Sequence, residues 1–564
     1  MTEWVAKNRK NETTDIEIRG KIIPKAIVQI LHNRGYDTPD RIEKFFAPSL
    51  NNLHDPFLIN DMEKAVDRIV KAMHNKERIF IHGDYDTDGI TGSALLVGNL
   101  RKLGFNVDYY IPHRLYEGYG LSLGGIEQAI KSRCPIIITV DCGITATDEI
   151  LYANKNNIDV IVCDHHKPKD VLPMAYALLN PKISESKYPF KELAGVGVAF
   201  KMIQALYKKL NFPDEEAYQN LDLVALGSVV DVVPLVDENR IMVKYGLRKM
   251  SKSKNVGVQA ILEEVGLEGE LTSYHLGFII GPRINACGRL RDAKEALELF
   301  LTKDRDCARG LARNLSLDNQ SRKEIEDTIY NEAKILIECE ARVKDNIIVL
   351  GKEGWHEGVV GIVASRISED YYRPAIILSL KKDSAKGSAR SVTGFDITDA
   401  LSSCHDLLIK YGGHSQAAGL EMKTDNINQL REQINSYIKN FGTDIFQRRS
   451  FYDTALNLDE VTDEVLFFLK YFEPTGMANP QPVFLGEEFE VVGVPRVVGS
   501  DHLKFALRNR GKAFDAIAYG QAESILNIEV GKTRVNCLYS VSENSFTGKK
   551  KPVLKVKEMR KNAV

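Results

Sequence analysis

The sequence predicts an α/β fold: a doubly wound parallel-sheet domain, a long helical connector, a smaller α/β domain and a C-terminal β-barrel. Three observations lead to this prediction. Short β-branched segments alternate with helical ones from Arg78 onward, no proline occurs between Arg283 and Arg373, and the chain after Arg448 contains one strand-like segment after another. At roughly 150 residues per domain, 564 residues are enough for three or four domains.

Strands that alternate with helices indicate a parallel sheet in the first large domain, predicted at residues 76–291. The apolar segments RIFIHGDYD, NVDYYIP, PIIITVDCG and DVIVCDHH are separated by helical segments such as TGSALLVGNLRKLG and GGIEQAIKSR, the pattern of a doubly wound sheet. Residues 1–75 contain two short helical patterns, KAIVQILHNRG and DMEKAVDRIVKAM. We expect them to form a helical preamble that packs on this parallel-sheet domain.

The remaining domains follow from the same patterns. Ile325, Ile329, Ala333 and Leu336 keep a helical spacing, which predicts a helical connector over residues 292–345, broken near Gly310. A second α/β domain is predicted at 346–445, with NIIVLG and PAIILSL as strands around the helix GVVGIVASRISEDY. Five strands within 446–564 favour a small Greek-key barrel.

Composition excludes several classes of protein. An apolar content of 44% with 27% charged residues is ordinary for a globular chain and excludes a largely disordered, collagenous or coiled-coil protein. The 75 Lys and Arg against 77 Asp and Glu give a net charge of -2. Nucleic-acid binding through bulk charge is therefore excluded, and any such binding must come from local basic clusters.

Location and redox state follow from what the sequence contains. No segment approaches the roughly 20 apolar residues of a membrane span, and the first residues have no apolar signal-peptide core. We therefore expect a cytoplasmic protein without a membrane partner. The eight cysteines include no CxxC pair, so we expect free and mostly buried thiols.

Three predicted strands end in carboxylates or histidines. Asp84, Asp86 and Asp88 follow the first strand, Asp141 follows a later one, and Asp164-His165-His166 follows the next. In an open α/β sheet, ligands bind at the carboxyl ends of the strands. These side chains are therefore expected to meet in one cleft.

Three aspartates at alternate positions indicate a divalent metal. If the segment is extended, Asp84, Asp86 and Asp88 face one way, and their charges repel unless a cation lies among them. The alternative is an Asx-rich turn or a helix cap. A calcium loop is excluded because the twelfth residue counted from Asp84, which should be glutamate, is Leu95.

Asp231 adds to this set, because it interrupts the apolar segment LDLVALGSVVDVVPLV, where an unpaired charge is costly. Carboxylate and imidazole ligands without thiolate favour Mn²⁺ or Mg²⁺, and histidine tilts the choice towards Mn²⁺. So many ligands serve two ions better than one. This indicates two-metal cleavage of a phosphoester.

At this point the residues carry a family resemblance. Asp164-His165-His166 is the signature triplet of the DHH phosphoesterase superfamily, and GDYDTDG, VDCGIT and ALGSVVDVVPL resemble its other metal motifs. The segments IPHRLYEGYGL, GPRINACGRL, GWHEGVVGIVASR, GSARS and GGHSQAAG resemble the RecJ family of bacterial single-strand-specific exonucleases. The resemblance extends over nearly the whole chain.

The resemblance implies an exonuclease that degrades single-stranded DNA from its 5′ end to 5′-mononucleotides, in DNA repair and recombination. It implies two divalent ions, Mn²⁺ preferred or Mg²⁺, and identifies the three predicted domains as a DHH domain, a DHH-associated domain and an OB-fold. Single-strand-binding protein and a helicase are possible partners, and the architecture needs only a monomer.

The resemblance also implies site residues by position. The metal ligands are Asp84, Asp86, Asp88, Asp141, His165 and Asp231, and His166 is the second active-site histidine, so that Asp141, His165 and His166 are the catalytic residues. The residues expected to bind the 5′-phosphate and the DNA backbone are Arg114, Arg283, Asn285, Arg289, Ser388, Arg390, Gly412, Gly413 and His414. For Arg283 and Arg289, capping of backbone carbonyls is the alternative.

Two other functions stay open at this stage. One is a superfamily phosphodiesterase for short oligonucleotides or cyclic dinucleotides, which generally lacks the barrel. The other is a non-catalytic replication scaffold, which typically loses metal ligands that are all present here.

Base stacking along a single strand needs exposed aromatic rings. The candidates, without an individual assignment, are Tyr116, Tyr119, Trp355 and Tyr411.

Overall fold

The computed structural model describes residues 2–7, 16–18, 20–340, 342–499, 501–544 and 551–562. The chain forms two compact units. The first contains residues 54–233 and 245–448, and the second contains residues 2–53, 234–244 and 449–564. Within the described residues, no helix has the length and apolar character needed to cross a membrane.

The N-terminal segment belongs to the second unit. Its elements are β1 Glu3–Ala6, β2 Glu17–Ile18, β3 Lys21–Ile22, α1 Lys25–Asn33 and α2 Pro39–Phe46. Buried residues such as Ile27, Leu31 and Phe46 share one core with residues of the C-terminal barrel. This corrects the expectation that residues 1–75 pack as a whole on the catalytic domain, because an amphipathic helix shows that it needs an apolar partner but not which one.

The predicted parallel sheet is confirmed. Its strands are β4 Ile79–Gly83, β5 Val107–Tyr110, β6 Ile136–Val140, β7 Asp159–Cys163 and β8 Ala177–Leu179. Their order is β5-β4-β6-β7-β8, and every neighbouring pair is parallel. From β4 the chain runs to one side, to β5, and then returns to β6 on the other side. Ligands bind at such a switch point in open α/β sheets.

Helices surround this sheet and continue beyond it. They are α3 Met62–Asn75, α4 Thr87–Lys102, α5 Leu123–Lys131, α6 Thr147–Lys155, α7 Gly195–Lys209, α8 Asp214–Ala217, α9 Leu221–Val230, α11 Val256–Glu264 and α12 Gly281–Leu290. Between α9 and α11, α10 Asp237–Met250 begins among the residues of the second unit and ends among those of the first. Apart from Asp222 and Ser228, the α9 helix is apolar, and it is largely buried, as expected for a helix inside a large domain.

The connector consists of α13 Lys294–Leu301 and α14 Arg305–Cys339. The predicted break near Gly310 is wrong, since α14 passes through that residue without interruption. A single glycine costs a helix only about 1 kcal/mol, whereas the observed break lies at residues 302–304. There the Asp304 side chain caps α14 by accepting hydrogen bonds from the amides of Asp306 and Cys307.

The second α/β domain of the first unit is also confirmed. Its elements are β9 Ile348–Glu353, α15 Val360–Tyr371, β10 Ala375–Leu380, β11 Ser384–Arg390, α16 Ile397–Ser402, β12 Leu408–His414, β13 Ala417–Lys423 and α17 Ile427–Ile438. The strand order is β12-β13-β11-β10-β9, and only β9 and β10 are parallel.

The C-terminal region forms the predicted five-stranded barrel. Its elements are β14 Arg449–Tyr452, β15 Thr454–Ala455, α18 Asp463–Leu469, β16 Phe484–Val498, β17 His502–Asn509, β18 Lys512–Ala518, β19 Arg534–Asn544 and β20 Lys551–Lys561. The order β16-β17-β18-β20-β19 closes on itself because β19 also pairs with β16. All eight cysteines are free, and six of them are buried, as expected.

Candidate metal centre

Three aspartates lie at the same level at the carboxyl edge of the parallel sheet. Each continues the backbone ladder one residue past its strand. The amide of Asp84 donates to Val140 O at 3.2 Å, that of Asp141 to Cys163 O at 2.9 Å, and that of Asp164 to Leu179 O at 3.1 Å. The sheet therefore fixes the backbone from which the site is built.

Asp86 and Asp88 reach the site from a helix start and not from an extended segment, so the expected alternation of three aspartates on one extended face is wrong. Asp86 is the N-cap of α4 and accepts hydrogen bonds from the amides of Asp88 at 2.9 Å and Gly89 at 3.2 Å. Asp88 lies in the first turn and accepts the amides of Gly195 and Val196 at 2.6 and 2.8 Å. The helix-cap alternative thus holds for Asp86, which nevertheless lies in one of the candidate ligand groups.

The carboxylates and histidines form three overlapping groups with ligand atoms within 4.8 Å of one another. The groups are Asp84, Asp86 and Asp141; Asp88, His165 and Asp231; and Asp141, His165 and His166. Nε2 of His165 lies 3.1 Å from Asp141 Oδ1 and 3.5 Å from Asp231 Oδ2. Asp141 links the first and third groups and His165 links the second and third, so the three groups form one continuous cluster with room for more than one cation.

The residues present fit divalent cations. Among the described residues, Asp84 Oδ1, Asp141 Oδ1 and His165 Nε2 are buried without a hydrogen bond, although buried polar atoms are normally paired. The groups contain carboxylate oxygens and imidazole nitrogens but no thiolate. This donor set suits Mn²⁺ and Mg²⁺.

In the absence of a cation, the negative charges of these carboxylates repel one another strongly. Burial, followed by the charges of neighbouring aspartates, raises the pKa of Asp84, Asp141 and Asp231 well above the ordinary value. The same causes raise the pKa of Asp88 to about 7. Cations among these groups would remove both penalties.

Asp164 behaves differently because it holds the two histidines. Burial alone would raise its pKa, but the hydrogen bond from His166 and the charges of both histidines lower the pKa to about 2. Burial lowers the pKa of His165 to about 3, so its imidazole is neutral and available as a ligand. Burial would also lower the pKa of His166, but the hydrogen bond and charge of Asp164 raise it.

Sequence reasoning assigned no role to Asp164 or to the hydroxyl of Tyr119. Tyr119 was a stacking candidate, but its hydroxyl donates to Asp141 O at 3.0 Å and lies 2.9 Å from His166 Nδ1. The position of Asp164 directly before two histidines was the one signal in the sequence. For Tyr119 the sequence held none, because 22 residues separate it from Asp141.

Two glycines permit the close approach of backbone segments at the site. A Cβ at Gly195 would lie 2.7 Å from the Cβ of Asp141, and a Cβ at Gly89 would lie 2.5 Å from the carbonyl oxygen of Asp84. Side chains at these positions would push the two ligands out of place. Neither glycine has a positive φ. Glycine is therefore required at these positions because there is no room for a side chain, and not because of the backbone conformation.

Four of the predicted phosphate-binding residues lie together. Arg114, Arg289 and Arg390, with Ser388, form an arginine cluster. The guanidinium of Arg114 lies 4.8 Å from the centre of the Tyr85 ring, and Nη1 of Arg390 donates to Ser388 Oγ at 2.6 Å. Burial, and then the charges of Arg114, Arg322 and Arg390, lowers the pKa of Arg289 to about 9. Mutually repelling cations of this kind have the chemistry that a strong anion would neutralise.

Several of the predicted phosphate-binding residues, Arg289 among them, are occupied in part by protein contacts. Arg289 donates to Gly358 O at 3.1 Å, and Arg283 donates to Ile279 O and Ser316 Oγ, so carbonyl capping occurs at both arginines. Asn285 Oδ1 accepts the amide and hydroxyl of Thr87 at 2.9 and 2.8 Å. Gly412, Gly413 and His414 lie on the exposed edge strand β12.

The aromatic candidates also differ in what they can contact. Trp355 is buried, and its indole donates to Glu332, which leaves no face for a base. Tyr116 is exposed. Tyr274 and Phe278 were missed by sequence reasoning, yet they are exposed and stack on each other with ring centres 5.2 Å apart.

Comparison with known proteins covers most of the chain. Residues 78–228 match the DHH family, N-terminal domain, residues 344–440 the DHHA1 domain, and residues 452–558 the RecJ OB domain. The single-stranded-DNA-specific exonuclease RecJ of Bacillus subtilis is 36% identical over 541 residues, which cover 95% of this chain and 68% of that protein. The chain belongs to the RecJ family.

Further relatives agree with this assignment. RecJ of Escherichia coli is 35% identical over 561 residues, covering 95% of this chain and 96% of that protein. The crystal structure of RecJ from Thermus thermophilus in complex with Mn²⁺ matches with a TM-score of 0.81 at 30% identity, covering 96% of this chain and 76% of that one. Chains of the RecJ family are metal-dependent exonucleases, and the carboxylate and histidine groups described above fit that requirement.

Proposed function

We propose that this chain is a single-stranded-DNA-specific exonuclease that degrades DNA from the 5′ end to 5′-mononucleotides. The observation that carries the proposal is the set of three overlapping ligand groups within the same compact unit as the arginine cluster. The first fits the hydrolysis of a phosphodiester, and the second fits a stop for a terminal phosphate. Together they define an end-directed nuclease.

The chain's own residues have distinct roles in this reaction. Two divalent ions, Mn²⁺ preferred or Mg²⁺, would be held by Asp84, Asp86, Asp88, Asp141, His165 and Asp231. When bound, such ions supply Lewis-acid activation of water and of the phosphoryl group. His166, whose pKa is raised by Asp164, carries a proton near neutral pH more readily than a free histidine. It stabilises negative charge on the phosphoryl group or on the leaving 3′-oxygen.

The polarity of digestion comes from the arginine cluster. Arg114, Arg289, Ser388 and Arg390 bind the 5′-phosphate, since guanidinium groups and a hydroxyl suit a phosphate. Arg283, Asn285, Gly412, Gly413 and His414 contact the backbone of the strand further along. The glycines let the strand approach the protein backbone closely, and each charged contact adds to affinity in a salt-dependent way.

The remaining parts of the chain serve the same substrate. We assign residues 76–291 as the catalytic domain, 292–345 as the connector, 346–445 as the substrate-binding DHH-associated domain and 446–564 as the DNA-binding OB-fold. One copy contains every ligand group, so a monomer suffices. Single-strand-binding protein and a helicase are the partners that would expose and present single strands during repair and recombination, and DNA in bacteria such as the relatives above is cytoplasmic.

The test is digestion of a single-stranded oligonucleotide labelled at its 5′ or its 3′ end, with a duplex as control, in Mn²⁺ and in EDTA. We expect immediate release of a labelled mononucleotide from the 5′-labelled strand alone, and no release in EDTA or from Asp141→Ala. Asp148→Ala is the matched control, since Asp148 is an exposed aspartate on α6.

Other results would replace the proposal. If the wild type leaves the strand intact but cleaves dinucleotides or cyclic dinucleotides, the chain is a phosphodiesterase for small substrates. If it binds the strand and cleaves nothing, it is a scaffold.

A further inference from the structure

The loop between β5 and α5 connects the arginine cluster with the metal centre. Near its start, Arg114 lies on the ring of Tyr85 at 4.8 Å. Near its end, the Tyr119 hydroxyl contacts Asp141 O at 3.0 Å and His166 Nδ1 at 2.9 Å. The conformation of this one loop therefore places both the Arg114 guanidinium and the Tyr119 hydroxyl.

The carboxylate of Glu117 closes this loop on itself. It accepts the amide of His113 at 2.8 Å, while the amide of Glu117 donates to the carbonyl of His113 at 2.9 Å. The residues between them, which include Arg114, are thus enclosed in one hydrogen-bonded turn. The turn is fixed from its own C-terminal residue.

The same carboxylate anchors the turn to the sheet. The hydroxyl of Tyr110, the last residue of β5, lies 3.0 Å from both carboxylate oxygens of Glu117. Burial would raise the pKa of Glu117, but hydrogen bonds from the His113 amide, from Ser122 and from Tyr110 lower it. Ser122 is the N-cap of α5. An ionised carboxylate can accept all of these bonds at once, which an amide cannot.

An exposed glutamate with this set of donors is not an ordinary solvated surface charge. Most exposed carboxylates contribute little to stability or geometry. Glu117 instead joins the strand end, the turn and the start of the next helix. Arg114 lies within this turn, and Tyr119 follows Glu117 closely in the chain.

We infer that Glu117 is a positioning residue for the exonuclease reaction. Its carboxylate holds the loop so that Arg114 reaches the terminal phosphate while Tyr119 fixes the Asp141 backbone and the His166 ring. Recognition of the 5′ end and alignment of the metal centre are thereby coupled through one side chain. The inference rests on the proposed function, because it assumes that the arginine cluster binds the 5′-phosphate.

The test compares Glu117→Gln and Tyr110→Phe with the wild type on oligonucleotides that carry a 5′-phosphate or a 5′-hydroxyl. Both variants remove part of the same contact, one from each side. We expect kcat/KM on the phosphorylated strand to fall by about tenfold to a hundredfold, as for a displacement of about 1 Å in an active site. The preference for phosphate should shrink towards that of Arg114→Ala, with Tm close to the wild-type value.

Two controls make the result specific. Glu127→Gln changes an exposed glutamate on the neighbouring helix α5 and should leave the preference unchanged. The double variant Glu117→Gln with Tyr110→Phe should lose little more than Glu117→Gln alone, because the two side chains act through one contact.

The inference is overturned if the variants keep the wild-type preference for the 5′-phosphate, or if activity falls equally on both strands with an unchanged preference. Should Glu117→Gln fail to fold, Tyr110→Phe decides, since it removes one hydroxyl and keeps the carboxylate. If the wild type itself shows no 5′-end release or no preference for phosphate, the proposed function fails in the unmodified protein. That outcome is distinguishable from failure of the variants, and it overturns the inference too.

Discussion

Asp164 holds His166 through a side-chain hydrogen bond, with Oδ1 of Asp164 2.8 Å from Nδ1 of His166. The same oxygen accepts the backbone amides of His165 at 2.7 Å and His166 at 3.0 Å. One carboxylate oxygen thus fixes the backbone of both histidines and the ring of the second. Carboxylates that orient histidines near metals in this way tune both geometry and basicity.

Replacing this carboxylate should therefore impair the metal centre without removing a ligand. We expect Asp164→Asn to lower kcat/KM or Mn²⁺ affinity by about 10- to 100-fold, because the amide no longer supplies the charge that raises the pKa of His166. Steady-state kinetics and a Mn²⁺ titration measure both effects. Asp148→Asn is the control, and wild-type activity in Asp164→Asn would contradict the orienting role.

Cation binding should stabilise the protein more at high pH than at low pH. In the metal-free protein the pKa of Asp88 rises from 3.8 to about 7, so the folded state binds this proton more tightly than the unfolded state. The stability contribution of the group is therefore lost as pH rises from about 4 through 7. Mn²⁺ competes with the proton and relieves the repulsion only when the carboxylates are ionised.

The measurement is Tm of the EDTA-treated protein with and without Mn²⁺ at pH 5.5 and pH 8. At a concentration of about 100 Kd a bound ligand adds about 2.7 kcal/mol, and the gain in Tm should be clearly larger at pH 8. Asp231→Asn should raise Tm of the metal-free protein at pH 8 and reduce the gain from Mn²⁺. An equal or larger gain at pH 5.5 would show that the carboxylates are not coupled as described.

The arginine cluster should lower the stability of the folded protein while it provides recognition of the 5′ end. Burial and the neighbouring cations lower the pKa of Arg289 to about 9, which means that its charge is disfavoured in the folded protein at neutral pH. Arg289→Met should therefore raise Tm and reduce the preference for a 5′-phosphate. Differential scanning calorimetry and digestion of matched 5′-phosphate and 5′-hydroxyl strands test this pair of effects.

The matched control is Arg309→Met, because Arg309 is exposed on α14 and pairs with Glu263 at 3.3 Å. It should change neither Tm nor the preference. A lower Tm for Arg289→Met than for the wild type would mean that the hydrogen bond from Arg289 to Gly358 O stabilises the protein more than the repulsion between the arginines destabilises it.

The sequence predicted the sheet, the connector and the barrel because local periodicity determines them. It also predicted that Asp84, Asp141 and the histidines meet at one edge of the sheet, since they directly follow apolar strands. What it could not predict depends on contacts between distant segments. The placement of residues 2–53 with the barrel, and the contact of Tyr119 with His166, are set by packing that no local pattern encodes.

The approach of Gly195 to Asp141 should make this glycine essential for activity. A methyl group at Gly195 would lie 2.7 Å from the Cβ of Asp141, so either the ligand or α7 must move. We expect Gly195→Ala to lose activity by about 100-fold and to bind Mn²⁺ more weakly, while retaining its secondary structure by circular dichroism. Gly98→Ala is the control, since a Cβ there meets nothing within 4 Å.

Gly310 tests whether the connector acts as one rigid element. The residue lies in the continuous helix α14, it is exposed, and a Cβ there meets nothing within 4 Å. Alanine loses less backbone entropy than glycine on folding, so Gly310→Ala should stabilise the protein by about 0.5–1 kcal/mol with unchanged kcat. Urea denaturation and the 5′-labelled digestion measure the two quantities. A stabilised variant with lower kcat would instead show that the reaction requires α14 to bend at this residue.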